Sequence, residues 1–367
     1  MIHDGTGKKA FVGVSGGVDS AVSLSLMIKR GFAVTGCFIR GWHPPYLTCT
    51  WKEDRREAMR VCAALDVPFI EFNASQEYEQ AVVREMIDGY KHGTTPNPDI
   101  LCNERVKFGV FYDFARANGA DIVATGHYAQ VQKSEDGTVS LLESADAEKD
   151  QTYFLRAVPA DRLAHVEFPI GHLQKKQVRT LAHKLNLPNA HRPDSQGVCF
   201  LGHVDLADFM SHHVAMVPGT IVLKDGTIVG EHKGISAYAV GQRHGLEVAP
   251  STIHTEPLYV IAKDAQENTL MVGPKSDLEY ATHRVTLSRC NWIGISPSVG
   301  DVALARHRHR GEKNEVTFVS IDDMSATIEY TTPVESIDIG QSIALYQSNR
   351  CIGGGDVAQT IRPEHAA

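Results

Sequence analysis

The chain has 367 residues, 43% hydrophobic and 22% charged, with a formal net charge of −8 at pH 7. That length exceeds one ordinary core and predicts two or three domains, and the composition excludes a disordered chain. No apolar run approaches the roughly 20 residues of a membrane helix, and the acidic balance excludes a globally basic nucleic-acid binder while leaving room for local basic faces.

In chain order, AFVGV (10–14) reads as a short apolar strand, and VDSAVSLSLMIKRG as a helix stopped by Gly31. A second strand is expected at 33–39. A helix follows over 52–66, with Met59, Cys62 and Leu65 on its apolar side, then a strand at 68–72 and a helix over 75–93 ended by Gly93. In TPNPDILCNERVKF (95–108), Pro96 and Pro98 fix φ and disfavour helix at the residue before each. VKFGVFYDFARANG then reads as helix and ADIVATG as strand. This alternation predicts an α/β domain with a doubly wound parallel sheet, covered on both faces.

Past residue 170 an amphipathic helix is expected at 175–187, then the loop PNAHRPDSQGVCFLG and a helix at VDLADFMSHHV. Beyond residue 217 the pattern becomes strand-rich, with turn signals at Asp225-Gly226, Asp322-Asp323 and Gly353-Gly354-Gly355. Boundaries fall near 210 and 278. They give domains over 1–210, 211–277 and 278–367, the last a small β-barrel or sandwich.

GVSGGVDS (13–20) lies between the first strand and the first helix. Its glycines let backbone N–H groups approach an anion, and the helix N-terminus behind them favours phosphate. Ser15 and Ser20 add hydroxyls, and Asp19 can cap the helix or help hold magnesium. The Walker lysine is missing, as is the dinucleotide pattern GxGxxG.

Seven cysteines in a long chain do not form a secreted disulfide framework, so a reducing cytoplasm is expected. The N-terminal MIHDGTGKKAFVGV, which has no separate apolar core of a signal peptide, agrees. Cys37, Cys62, Cys290 and Cys351 read as small core residues, and Cys49 as a loop residue without a reactive neighbourhood. Cys102 and Cys199 each sit in a polar loop beside an aspartate, in NPDILC and DSQGVC. Asp99 can serve as a general base or orient a substrate near Cys102, cap a helix that begins around Cys102, or do both. Two reactive thiols in a reducing compartment suit a persulfide carrier and a resolving partner.

SGGVDS resembles the PP-loop of the ATP pyrophosphatases, which grip the pyrophosphate of ATP while a substrate oxygen attacks the α-phosphorus. SGGVDSAV, TPNPDILCNERVKF, ATGHYAQV, KDQTYFL, DSQGVCFLG, GEHKGISAYAVGQRHGL and CIGGGDV, in this order over nearly the whole chain, resemble the bacterial tRNA-specific 2-thiouridylases of the MnmA/TrmU family.

The resemblance implies a PP-loop domain of the adenine nucleotide alpha hydrolase type, a small central domain and a C-terminal β-barrel that contacts tRNA. It implies ATP-dependent 2-thiolation of the wobble uridine, by adenylation of the uracil C2 oxygen and transfer of persulfide sulfur. ATP with Mg2+ would lie on Gly13, Val14, Ser15, Gly16, Gly17, Val18, Asp19 and Ser20, with Ile39 and Gly126 lining its site. Cys199 corresponds to the persulfide carrier, Cys102 to the nucleophile or resolving thiol, and Asp99 to the group handling the base's proton. Asn97, Pro98 and Asp99 would contact the flipped base. His127, Lys149, Asp150, Gln151, Arg308, His309 and Gln341 would contact the rest of the tRNA, giving ARHRHRG (305–311) a phosphate-binding role.

The expected partners are tRNAs for Lys, Glu and Gln and a persulfide relay protein, with a monomer and no membrane. A resident metal is not expected, although the two thiols and Asp99 would be the ligands in an iron–sulfur version of the reaction. Another PP-loop AMP-forming ligase, acting on a small metabolite, is the alternative enzyme class. A module that binds tRNA or ATP without catalysis is the third. The chain departs from the family pattern at Arg40, Gly41, His43, Pro44 and Pro45, and in the histidines of ARHRHRG.

Overall fold

A computed structural model describes residues 5–44, 46, 51–194, 197, 199–200, 206–213, 216–235, 238, 240–243, 245–248, 256–264, 266–278, 282–335 and 337–361. Cys49, Pro45 and the start of the expected helix at VDLADFMSHHV lie outside the described residues.

The N-terminal sheet is built from β1 (Lys9–Gly13), β2 (Ala33–Arg40), β3 (Phe69–Asn73), β4 (Ile122–Ala124) and, after the antiparallel hairpin β5 (Gln130–Lys133) and β6 (Val139–Leu142), β7 (Val166–Glu167). Its order is β3-β2-β1-β4-β7, with every neighbouring pair parallel. Alternating side chains of β1 enter opposite cores. Phe11 packs with Ile39 and Phe111, whereas Ala10 and Val12 pack with Val22, Leu24 and Met27 of α1 (Val18–Lys29) and with Val178 and Ala182. Both faces of the sheet are covered, as the alternation predicts.

The central sheet comprises β8 (Gly219–Val222), β9 (Ile228–His232), β10 (Glu247–Val248), β11 (Tyr259–Asp264) and β12 (Thr269–Gly273), in the order β10-β9-β8-β12-β11. Asp225 and Gly226 make the turn between β8 and β9: Asp225 Oδ1 accepts from Thr227 N at 3.0 Å, and Gly226 has φ +84°.

The C-terminal strands are β13 (Thr282–Trp292), β14 (Val302–Arg306), β15 (Asn314–Ile321), β16 (Ser325–Val334), β17 (Ser342–Gln347) and β18 (Arg350–Ile361). They run β13-β16-β15-β14-β17-β18, and pairing of β18 with β13 closes an antiparallel barrel. The Gly353–Gly355 triplet, expected at a turn, lies inside β18. A Cβ on Gly355 would come 2.8 Å from the Ser288 carbonyl, so the missing side chains let β18 pack tightly against β13.

The three parts are tied together by backbone and buried charge. The β5–β6 hairpin extends the barrel sheet by pairing Leu142 with Arg350 and Leu141 with Cys351. Arg156, buried, donates to Ser342 Oγ through Nε at 3.1 Å, to the Gly354 carbonyl and to Asp356. Asp338 Oδ2 accepts from Thr95 Oγ1 at 2.9 Å, Lys263 Nζ at 3.0 Å and Val240 N at 3.3 Å, joining all three sheets' domains at one carboxylate.

Candidate active site

The strand order reverses between β1 and β4, and at such a switch point the carboxyl ends of parallel strands open a crevice. The 13–20 loop lies on one side of it and Gly126 on the other. A Cβ on Gly126 would come 2.8 Å from Ser20 N, so glycine is what lets the end of β4 close on the first turn of α1. Gly17 caps α1 with no side-chain acceptor, which leaves the first-turn amides of Val18, Asp19 and Ser20 for an anion. Ser20 Oγ shapes the loop from within, accepting from Ser15 N at 3.2 Å and donating to the Gly17 carbonyl at 3.0 Å. Gly16 takes the left-handed φ of +79°, and its carbonyl accepts from Asn189 Nδ2 at 2.8 Å and Arg192 Nη1 at 3.1 Å. Ile39, buried, lies opposite Phe72 near the carboxyl end of β2.

Asp19 does not cap α1. Its carboxylate accepts from Lys175 Nζ at 2.7 and 2.8 Å and from the Tyr128 hydroxyl at 2.8 Å. Lys175 also pairs with Asp194 at 2.8 Å, and Lys149 and Arg179 reach the same carboxylate. Partial burial pushes the Asp194 carboxyl up, but hydrogen bonds from Lys175 and Lys149 hold it well below the usual range. Lysine is absent from the phosphate loop, yet Lys175 reaches it from 156 residues away. Asn189, Lys175 and Arg192 were not singled out by sequence, because nothing local links the 175–194 segment to the loop.

Asn97 fixes the geometry of the second half of the site. Its Oδ1 accepts from Asp99 N at 3.1 Å and Ile100 N at 3.2 Å, capping a helix whose first residue is Pro98. The cap is therefore Asn97, not Asp99. Cys102 is not in a polar loop but inside the helical run, fully buried, where Pro98–Leu101 passes into the wide π-helical turn Cys102–Val110. Asp99 is free to serve elsewhere: its Oδ1 accepts from Cys199 N at 3.0 Å.

That bond brings together two thiols 97 residues apart. The Cys102 thiol donates to Cys199 Sγ across 3.4 Å, and both cysteines are free. The Tyr78 hydroxyl donates to the Cys199 carbonyl at 2.6 Å, and its ring stands edge-on to Phe200 at 5.5 Å. These contacts hold Phe200 at φ +64°, a region that costs a non-glycine residue about 1–2 kcal/mol. A Cβ on Gly41 would come 2.8 Å from the Phe200 Cβ, so glycine at this family departure makes room for the Cys199 loop.

The two thiols differ electrostatically. The hydrogen bond from Cys102 pulls the Cys199 thiol down to about 7, against the effect of burial and with help from the Lys107 ammonium. Burial pushes Cys102 up, and its bond to Cys199 adds to that. Burial also raises Asp99, opposed by the Cys199 amide and Lys107. Of the two thiols, Cys199 is thus the more acidic and Cys102 the one held protonated beside it.

His127 is buried between the Phe108 and Phe168 rings. Lys107 Nζ can only donate, so His127 Nε2, 3.4 Å away, accepts, and Nδ1–H donates to Thr125 Oγ1 at 2.7 Å. Burial, then Lys107, keeps this imidazole neutral. Among the other tRNA candidates, Lys149 pairs with Asp194 at 3.0 Å, and Gln151 Oε1 accepts from Tyr128 N at 2.9 Å. Asp150 is buried, accepting from Ser144 N at 3.0 Å and Thr152 Oγ1 at 2.7 Å, so its carboxylate works inside the fold.

Arg308 pairs with Glu335 at 3.0 Å, and the His309 ring lies on Phe154 at 4.5 Å, where burial pushes it down to about 4. The Gln341 side-chain oxygen is buried with no hydrogen-bond partner among the described residues. Among the described residues no three His, Cys, Asp or Glu side chains gather into a group that could hold a metal, and no helix is long and apolar enough to cross a membrane.

Three family models match in succession: a tRNA methyl transferase HUP domain over residues 8–203, a tRNA methyl transferase PRC-barrel domain over 207–274 and an aminomethyltransferase beta-barrel domain over 282–357. The chain is 37% identical to the tRNA-specific 2-thiouridylase MnmA of Lacticaseibacillus paracasei, covering 97% of this chain and 96% of that one. It is 38% identical to MnmA of Ligilactobacillus salivarius, over 95% of each chain. To MnmA of Lactiplantibacillus plantarum it is 37% identical, over 98% of each.

Proposed function

The chain belongs to the tRNA-specific 2-thiouridylase family, and from that premise we propose that it thiolates the wobble uridine through adenylation of the base and a persulfide on Cys199. It is a PP-loop enzyme of tRNA 2-thiolation. The observation that carries the finer reading is the 3.4 Å approach of Cys102 to Cys199, with the Cys199 amide on Asp99.

In this reading the uracil C2 oxygen attacks the α-phosphorus of ATP and pyrophosphate leaves against the 13–20 loop. The free first-turn amides of α1 and the lysine-rich edge around Asp194 support pyrophosphate binding there. The terminal sulfur of the Cys199 persulfide anion attacks C2 and AMP departs, leaving the base joined to Cys199 through a disulfide. Cys102, as thiolate once its proton is lost, attacks Cys199 Sγ, which releases the 2-thiouridine sulfur as the leaving group and forms a Cys102–Cys199 disulfide. An external thiol reductant restores the pair. Asn97, Pro98 and Asp99 are the residues proposed to meet the flipped base, with Asp99 handling its proton.

Magnesium would accompany ATP. Asp19, the carboxylate the loop offers, is already held by Lys175 and Tyr128, so the residues present do not form a ready metal site and no step is routed through one. His127, Lys149, Gln151, Arg308, His309 and Gln341 are the proposed tRNA contacts, with Asp150 holding the segment between Lys149 and Gln151 from inside the fold. The proposed partners are tRNAs for Lys, Glu and Gln and a cytoplasmic persulfide relay protein, with the enzyme a monomer. Incubation with ATP, a persulfide donor and unmodified tRNA, followed by nucleoside analysis, is the test. The reading expects 2-thiouridine from the parent and none from Cys199→Ser; a methylated uridine, or ATP turnover dependent on a metabolite and indifferent to tRNA, overturns it.

A further inference from the structure

We propose that Lys107 supports sulfur transfer, its ammonium keeping the Cys199 sulfur anionic both when sulfur is received and when it is delivered. The proposal rests on the reading of Cys199 as sulfur carrier.

Lys107 follows Cys102 by five residues. In an α-helix that spacing turns two side chains about 140° apart. The segment Cys102–Val110 is π-helical, with its i→i+5 hydrogen bonds, and a wider turn brings the fifth residue back over the first. Gly109, the fifth residue after Glu104, takes the non-helical φ −100°, ψ −109°, and a Cβ on it would meet the Glu104 carbonyl at 3.0 Å. The local departure from α-geometry is thus what carries the ammonium to the thiols.

The groups facing Cys199 are Cys102 and Asp99 from the same helical run, Lys107, and the Tyr78 hydroxyl on its carbonyl. Lys107 is the cation among them, on the same side of the wide turn as Cys102, whose thiol meets Cys199 at 3.4 Å, and its charge favours the anionic Cys199 sulfur. Its Nζ also lies 3.4 Å from His127 Nε2, a neutral acceptor that aims the ammonium without competing as a charge. Burial works against the Lys107 charge, but Cys199, Cys102 and Asp99 more than offset it and keep the amine protonated. The chemistry needs such a fixed cation. The Cys199 thiolate attacks the outer sulfur of a donor persulfide R–S–SH, forming Cys199–S–SH and expelling R–S⁻. That thiolate takes the remaining proton, leaving Cys199–S–S⁻ and R–SH, so the negative charge stays on Cys199 throughout.

The experiment is the pH dependence of Cys199 alkylation by iodoacetamide, read by peptide mass spectrometry on the full-length protein. The parent midpoint is expected near 7, Lys107→Arg within half a unit of it, and Lys107→Met at least one unit higher, with alkylation at pH 7 slower by about tenfold. An unchanged midpoint in Lys107→Met overturns the proposal, as does a parent midpoint at or above that of a free thiol, about 8.5, a measurement that needs no variant to fold. Because the readout involves no tRNA, a protein that shows the shift yet makes no 2-thiouridine refutes the thiolation reading and not the cation.

Discussion

The Asp99 carboxylate accepts the Cys199 backbone amide at 3.0 Å, and this bond closes the loop carrying one thiol over the helix carrying the other. Asp99→Asn keeps an acceptor oxygen while removing the charge; Asp99→Ala removes both. Diamide oxidation is expected to form the Cys102–Cys199 disulfide at near-parental rate in the Asn variant and at least tenfold more slowly in the Ala variant. Nucleoside analysis is expected to show strongly reduced thiolation in both. Equal disulfide rates in all three proteins would mean that the bond does not set the thiol spacing.

The loop that leads to Asn97 is held from outside the catalytic domain. Thr95 N donates to the Ile339 carbonyl at 2.8 Å, and Thr95 Oγ1 donates to Asp338, which is itself buried against Lys263. Thr95→Ser keeps the hydroxyl and is expected to leave thiolation within twofold of the parent. Thr95→Val keeps the shape without it and is expected to lower kcat about tenfold, with little change in the KM for ATP. Asp338→Ala strands the Lys263 charge and is expected to cost about 3–5 kcal/mol in denaturant unfolding.

Arg156 couples the catalytic domain to the barrel through Ser342, Gly354 and Asp356 while almost wholly out of solvent. Its replacement by Met leaves buried acceptors unpaired, and a loss of about 3–5 kcal/mol is expected. Urea titration followed by fluorescence measures it. A loss below about 1 kcal/mol would show that the interface does not depend on this side chain.

Asp194 supplies a pH signature. Its folded-state carboxyl is depressed, with Lys175 and Lys149 as the cause, so its contribution is present above the unfolded value of about 3.9 and is lost as pH falls toward the folded one. Melting temperature is expected to fall less steeply between pH 5 and pH 3 in Asp194→Asn than in the parent. Parallel curves would remove Asp194 from the acid response.

Much of this was legible in the residues. Alternating runs placed β1, α1, β2 and β3 correctly, and the glycine-serine string between β1 and α1 marked the phosphate loop. The β5–β6 hairpin was not anticipated, although QVQKSEDGTVSLL alternates around the turn signal Asp136-Gly137. Lys107 was missed for a physical reason, because helical periodicity of 3.6 puts it on the side away from Cys102, and only the π-turn reverses that. Asp99 and Cys102 were expected around a helix start near Cys102. The true start, Pro98 under an Asn97 cap, is a sequence pattern that can be read once proline is taken as a first helical residue. The pairing of Cys102 with Cys199 had no local signal at all, since 97 residues separate them.

The most direct measurement of the central claim is a single turnover with isotopically labelled sulfur loaded on Cys199, ATP and unmodified tRNA, with nucleosides and peptides analysed together. The account predicts the label in 2-thiouridine and one Cys102–Cys199 disulfide formed per base thiolated. Unlabelled 2-thiouridine, or undiminished product from Cys199→Ser, would contradict it.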